Sequence, residues 1–97
     1  MSLKSASITA ENTFTDGVKS IGGYDGERDI AVSISGTFVA TVYIQRSLDG
    51  GVTYNDLETF YSSPTEVNVI ATRDANYRAG VKTGGYTSGT VEVKVLA

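Results

Sequence analysis

Apolar and polar residues alternate with a period of two in one segment after another, and no stretch of helical length carries the wider spacing of an amphipathic helix. Ile30, Val32 and Ile34 stand against Asp29, Ser33 and Ser35; Phe38, Ala40, Val42 and Ile44 against Thr37, Thr41 and Gln45; Val91, Val93 and Val95 against Thr90, Glu92 and Lys94. Each segment has one dry face and one wet face, as in antiparallel sheet packed on one side. Tyr77, Ala79 and Val81 alternate with Arg78 and Lys82, and Val67, Val69 and Ala71 with Glu66, Asn68 and Thr72. Weaker strands are predicted near Ala6 to Phe14 and Val18 to Ile21.

Turn formers separate these runs: Asp16-Gly17, Gly22-Gly23, Asp25-Gly26, Ser35-Gly36, Asp49-Gly50-Gly51, Ser63-Pro64, Asp74, Gly84-Gly85 and Ser88-Gly89. Seven or eight short strands at this spacing, in 97 residues, predict one all-β domain over residues 1–97, an antiparallel β-sandwich with jelly-roll or immunoglobulin-like connections. Eight strands lean toward the first of these, and Tyr77, at the start of a late strand, is a candidate tyrosine corner that leans toward the second.

Ser47-Leu48-Asp49-Gly50-Gly51-Val52-Thr53-Tyr54 is the most specified stretch and reads as a hairpin. Gly50 and Gly51 tolerate the positive φ of a tight turn, Asp49 can accept hydrogen bonds from the turn amides, and Ser47 and Thr53 can bond across its mouth. Tyr54 can fold back as an apolar plug. The spacing resembles a single Asp-box, Ser-x-Asp-x-Gly-x-Thr-aromatic, with Tyr54 in the usual tryptophan position; in sialidases and related propellers that box is a structural turn, remote from the chemistry. Beyond it, Tyr54 and Leu57 are three apart, so burying both predicts a bulge near Asn55-Asp56. Of Phe60 and Tyr61, one must face water or a partner.

Composition narrows the chemistry. Cysteine and histidine are absent, which removes disulfides, thiolate metal sites and the commonest general base and zinc ligand. No cofactor is expected. The net charge is −3 and the eight Lys and Arg residues are scattered, so nucleic acid is not an expected partner. No apolar run approaches the roughly 20 residues that span a bilayer, and Met1-Ser2-Leu3-Lys4-Ser5 lacks the features of a signal peptide. Membrane association is not expected, and synthesis in the cytoplasm is. Asp25, Glu27 and Asp29 have the spacing of calcium ligands, but Arg28 lies among them and the Gly22 to Asp29 stretch reads as a solvated loop without metal.

Three segments together resemble small β-sandwich structural proteins of tailed bacteriophages and prophages, including head decoration or cement proteins. They are Ile34-Ser35-Gly36-Thr37-Phe38, Val42-Tyr43-Ile44-Gln45-Arg46-Ser47-Leu48-Asp49-Gly50-Gly51, and Tyr77-Arg78-Ala79-Gly80-Val81 leading to Gly85-Tyr86-Thr87-Ser88-Gly89-Thr90. The resemblance implies a virion protein made in the bacterial cytoplasm, attached to the outer capsid surface, in trimers at local three-fold positions, and stabilising the shell without catalysis. Candidate docking aromatics are Tyr24, Tyr43, Phe60 or Tyr61, and Tyr86, since tyrosine offers contact area at low entropic cost. Ser2 to Thr9 is a second candidate, by strand addition to a neighbouring sheet edge. A carbohydrate-binding or tail-fibre adhesion module is the alternative, using the six tyrosines but lacking tryptophan. An enzyme is a distant third, with Asp56 and Glu58 as the carboxylate pair of a glycosidase.

Overall fold

The computed structural model describes residues 3–19, 28–61, 64–71 and 75–96. Among them are ten strands: β1 (Leu3–Ile8), β2 (Thr13–Phe14), β3 (Val18–Lys19), β4 (Arg28–Ser35), β5 (Phe38–Ser47), β6 (Asn55–Tyr61), β7 (Thr65–Ala71), β8 (Asn76–Val81), β9 (Tyr86–Gly89) and β10 (Val91–Leu96). No described residue is helical. The chain is all-β, and every strand pair is antiparallel.

The strands form a four-stranded sheet in the order β1-β10-β4-β7 and a six-stranded sheet following β2-β8-β5-β6, with β3 added on β8 and β9 on β5. Register keeps the dry faces together. Val95 pairs with Val32 and Val93 with Ile34 in the first sheet, and Ile44 with Ala79 in the second. A one-residue slip would turn every one of these side chains outward. The single core cluster draws on both sheets: Ile30, Val32, Ile34, Val91, Val93 and Val95 from one, Phe38, Val42, Ile44, Tyr77, Ala79 and Val81 from the other. Tyr77 is the largest fully buried side chain among the described residues.

The alternation fixed β4, β5, β8 and β10, and the departures lie at short elements. The Ala6 to Phe14 segment divides between the sheets, as β1 pairs with β10 and β2 with β8. Asn12, at φ 54°, stands in the crossing. Thr15 carries β2 onward, donating its amide to the Ala79 carbonyl and accepting the Ala79 amide on Oγ1. Ser88-Gly89, expected as a turn, is instead part of β9, paired with the first part of β5 across a register shift. Asp29, expected in a loop, already pairs with Ile70 in β4; Asp25 and Glu27 lie outside the described residues. Leu3 to Ile8 pairs within its own sheet, so only its outer edge remains for a neighbour.

Gly80 marks a tight approach of two strands. It pairs with Phe14, and a β-carbon there would collide with the Thr13 carbonyl oxygen and Phe14 Cα. Only glycine lets β2 lie so close on β8. That contact carries Phe14 onto the outer face of the six-stranded sheet, beside Arg78.

Candidate functional site

The Ser47 hairpin closes on its own side chains. Ser47, fully buried, donates from Oγ to Asp49 Oδ1 at 2.6 Å and accepts the Gly51 amide at 2.8 Å. Asp49 Oδ1 also accepts the Thr53 amide at 2.9 Å. Gly50 and Gly51 have φ of 78° and 94°, the left-handed region that glycine enters without strain. Bonds from Ser47 and from the turn amides hold the Asp49 carboxyl below its ordinary pKa, because they favour the charged form. Leu48 and Val52 are left exposed, at 67% and 84%.

Tyr54 plugs back as the spacing predicts, but onto an arginine. The Arg78 guanidinium carbon lies 4.0 Å from the Tyr54 ring centroid and 4.1 Å from that of Phe14, so the cation is held between two rings. Pairing of Gln45 with Arg78 across β5 and β8 puts both on the outer face. Arg78 Nε donates to Gln45 Oε1 at 2.8 Å, and Gln45 Nε2 donates to Asp56 Oδ1 at 2.8 Å. Asp56 Oδ2 receives Lys82 Nζ at 2.9 Å, and Lys82 Nζ also lies 4.7 Å from the Tyr43 ring centroid. Gln45, only 5% exposed on a face the pattern marks as wet, is the centre of this chain. Its bond, then the one from Lys82, lowers the Asp56 pKa; the bond to Asp56 raises that of Lys82. Beside these side chains a depression of about 270 Å³ is lined by Asn12, Phe14, Gln45, Arg78, Lys82 and Thr83.

A bulge sets part of this geometry. Ile44 pairs with Glu58 and Gln45 with Asp56, leaving Leu57 unpaired between them. The bulge lies at Leu57, just past the expected Asn55-Asp56, and since Leu57 is 36% exposed the joint burial from which it was expected does not hold. One consequence is that Asp56 and Glu58, proposed from sequence as a carboxylate pair, do not share a face. Asp56 accompanies Gln45 outward, whereas Glu58 sits opposite inward-facing Ile44 on an edge strand. Among the described residues no group of three or more acidic, His or Cys side chains could hold a metal ion.

The expected docking aromatics are not equivalent. Tyr24 lies outside the described residues. Tyr43 is half-buried beneath Lys82. Phe60 packs against the core, and Tyr61, 72% exposed, is the one that faces out. Tyr86 corrects the expectation of an outward-facing ring. It is half-buried against the core, and its hydroxyl donates to the Gly89 carbonyl at 2.7 Å, because β9 pairs Tyr86 with inward-facing Ala40. Phe14, Gln45, Arg78 and Lys82 were absent from the expected set; the signal for three of them was only their position on the wet side of an alternating strand. No family model matches the chain, no curated protein matches its sequence and no solved structure matches its fold.

Proposed function

We propose that this chain is a non-enzymatic structural protein of a tailed-phage virion, a decoration protein that binds the outer capsid surface through one sheet face and the stiff hairpin beside it. The observation that carries the reading is strand order. Taking β2 and β3 as one interrupted strand, and β9 as an insert between β8 and β10, leaves eight strands in two sheets ordered 1-8-3-6 and 2-7-4-5. We read this as a jelly-roll sandwich in preference to an immunoglobulin-like one. Jelly rolls serve as viral capsid and lectin domains, a likeness of architecture that supports a function without determining it. The phage-like layout of segments adds to it. So does the use of the polar side chains on the outer face: they mainly bind one another and hold a surface in shape.

Exposed Tyr61 favours carbohydrate binding as the second reading, since a free ring can stack on a sugar. Tyr43, Tyr54 and Phe14 suit it less, each having a cation over its ring.

Co-sedimentation with shells lacking the protein tests the first reading. Saturable binding at fixed stoichiometry, with raised resistance of the shells to heat, is the expected result. Absence of binding, with shells equally stable alone, overturns it. A glycan array with Tyr61→Ala as control tests the second, and binding that Tyr61→Ala abolishes would displace the capsid reading in its favour.

A further inference from the structure

We propose that the depression beside Arg78 is a binding site for a carboxylate carried by a partner polypeptide, an Asp or Glu side chain on an acidic segment, received by the terminal nitrogens of Arg78. A guanidinium has five N–H donors in a plane. Nε–H is spent on Gln45, and among the described residues no acceptor meets the four N–H groups on the two terminal nitrogens and no carboxylate pairs with Arg78. The rings of Phe14 and Tyr54 each lie within about 4 Å of the guanidinium carbon and Gln45 holds its Nε edge, so the fork is restrained before any ligand arrives. An arginine immobilised in this way has already lost the freedom that a flexible side chain loses on binding.

The neighbouring charges select the ligand. Lys82 is neutralised by Asp56, and the Glu11 carboxylate accepts the Gly84 amide at 2.8 Å. Among the described residues lining the depression, Arg78 is therefore the cation without a carboxylate partner, on a chain of net charge −3. A single planar fork suits a single carboxylate, bound bidentately. Nucleic-acid phosphates require several cations along a track, which the described residues lining this depression do not supply. Small-molecule sites enclose most of their ligand, whereas this depression lies on an open sheet face. The same face carries exposed Tyr61, opposite Thr41 four residues along β5 from Gln45, apolar area that a polypeptide extending from the ion pair would cover.

The site stands independently of the virion reading, and two experiments separate them. In the first, the full chain is titrated by NMR with a blocked peptide containing one Glu, its Gln counterpart, and sodium acetate, all at matched ionic strength. The Glu peptide is expected to give saturable shifts at the Arg78 side-chain nitrogens and the Gln45 amide, the Gln peptide none, and Arg78→Lys to weaken binding about tenfold. Dispersed amide spectra of Arg78→Lys and Arg78→Gln establish that each is folded, and the Arg78 resonances in the unmodified chain give a readout that needs no variant. Shifts that follow ionic strength alone, or acetate binding as tightly as the peptide, overturn the proposal. In the second, shells are co-sedimented with the unmodified chain and with Arg78→Gln. Equal binding by both, with no Glu-peptide shifts at Arg78 in the first experiment, overturns the site while leaving the virion reading intact. Glu-peptide binding with no shell binding supports the site and removes the virion reading.

Discussion

Ser47 does more for the hairpin than its size suggests. One buried hydroxyl receives the Gly51 amide and donates to Asp49, which in turn receives the Thr53 amide. Replacing Ser47 with Ala removes both bonds and is expected to cost about 1–2 kcal/mol in urea unfolding. It should also move the Asp49 titration, followed by carboxyl NMR, back up toward the ordinary aspartate value, since Ser47 is the largest cause of its depression. The sign follows from linkage. A carboxyl with a lowered folded-state pKa adds stability above the unfolded-state value and loses it as pH falls through the folded one. Ser47→Ala should therefore flatten the acid limb of stability against pH, without altering the limb above neutrality.

Two tyrosines provide a contrast at the same scale. Tyr86 packs against the core and bonds Gly89, while Tyr61 stands in solvent. Tyr86→Ala is expected to destabilise by about 2 kcal/mol, and Tyr61→Ala to stay within about 0.5 kcal/mol. Equal losses from both, measured by thermal or urea unfolding, would contradict this placement.

Among the elements, β5 is the hub, pairing with β6 and β8 along its later part and with β9 at its start. Its strict alternation made it legible, as it did β4, β8 and β10. β9 was hidden because Gly85, Ser88 and Gly89 carry turn chemistry, and pairing with a long neighbour outweighs local preference in so short a strand. β2 and β3 were blurred because their pattern is broken by Thr15 to Gly17 and belongs to a different sheet from β1. The site was legible only in parts. Arg78 and Lys82 were marked as wet-face residues, but their convergence with Phe14, Gln45 and Asp56 depends on register and on the Leu57 bulge, which no single segment encodes. The close contact of β2 on β8 gives the test at this scale. Gly80→Ala drives a methyl into the β2 backbone and is expected to cost about 1–3 kcal/mol. It should also disturb the Phe14–Arg78 stack, read as a shift of the Arg78 Nε resonance.

At the level of the whole molecule, strands distant in sequence are neighbours in space. β1 pairs with β10, β2 with β8, and β4 with both β7 and β10. Such pairings require long loops to close before contacts stabilise them. Refolding, followed by tyrosine fluorescence after rapid dilution from urea, is expected with a time constant in the range of roughly milliseconds to seconds; a microsecond phase carrying the full amplitude would contradict the topology. The molecule measures 41 × 24 × 18 Å.

The hairpin's internal bonding has a consequence for proteolysis. Exposed loop tips with glycine are ordinarily where a protease begins, because the backbone there can extend into an active-site cleft. Here the amides of Gly51 and Thr53 are held by Ser47 and Asp49, and Tyr54 is pinned beneath Arg78. The Leu48 bond is in full view of an attacking enzyme, yet cutting it first requires the turn to unravel. Limited digestion with a leucine-preferring protease should leave this bond whole in the native chain and open it rapidly in Ser47→Ala.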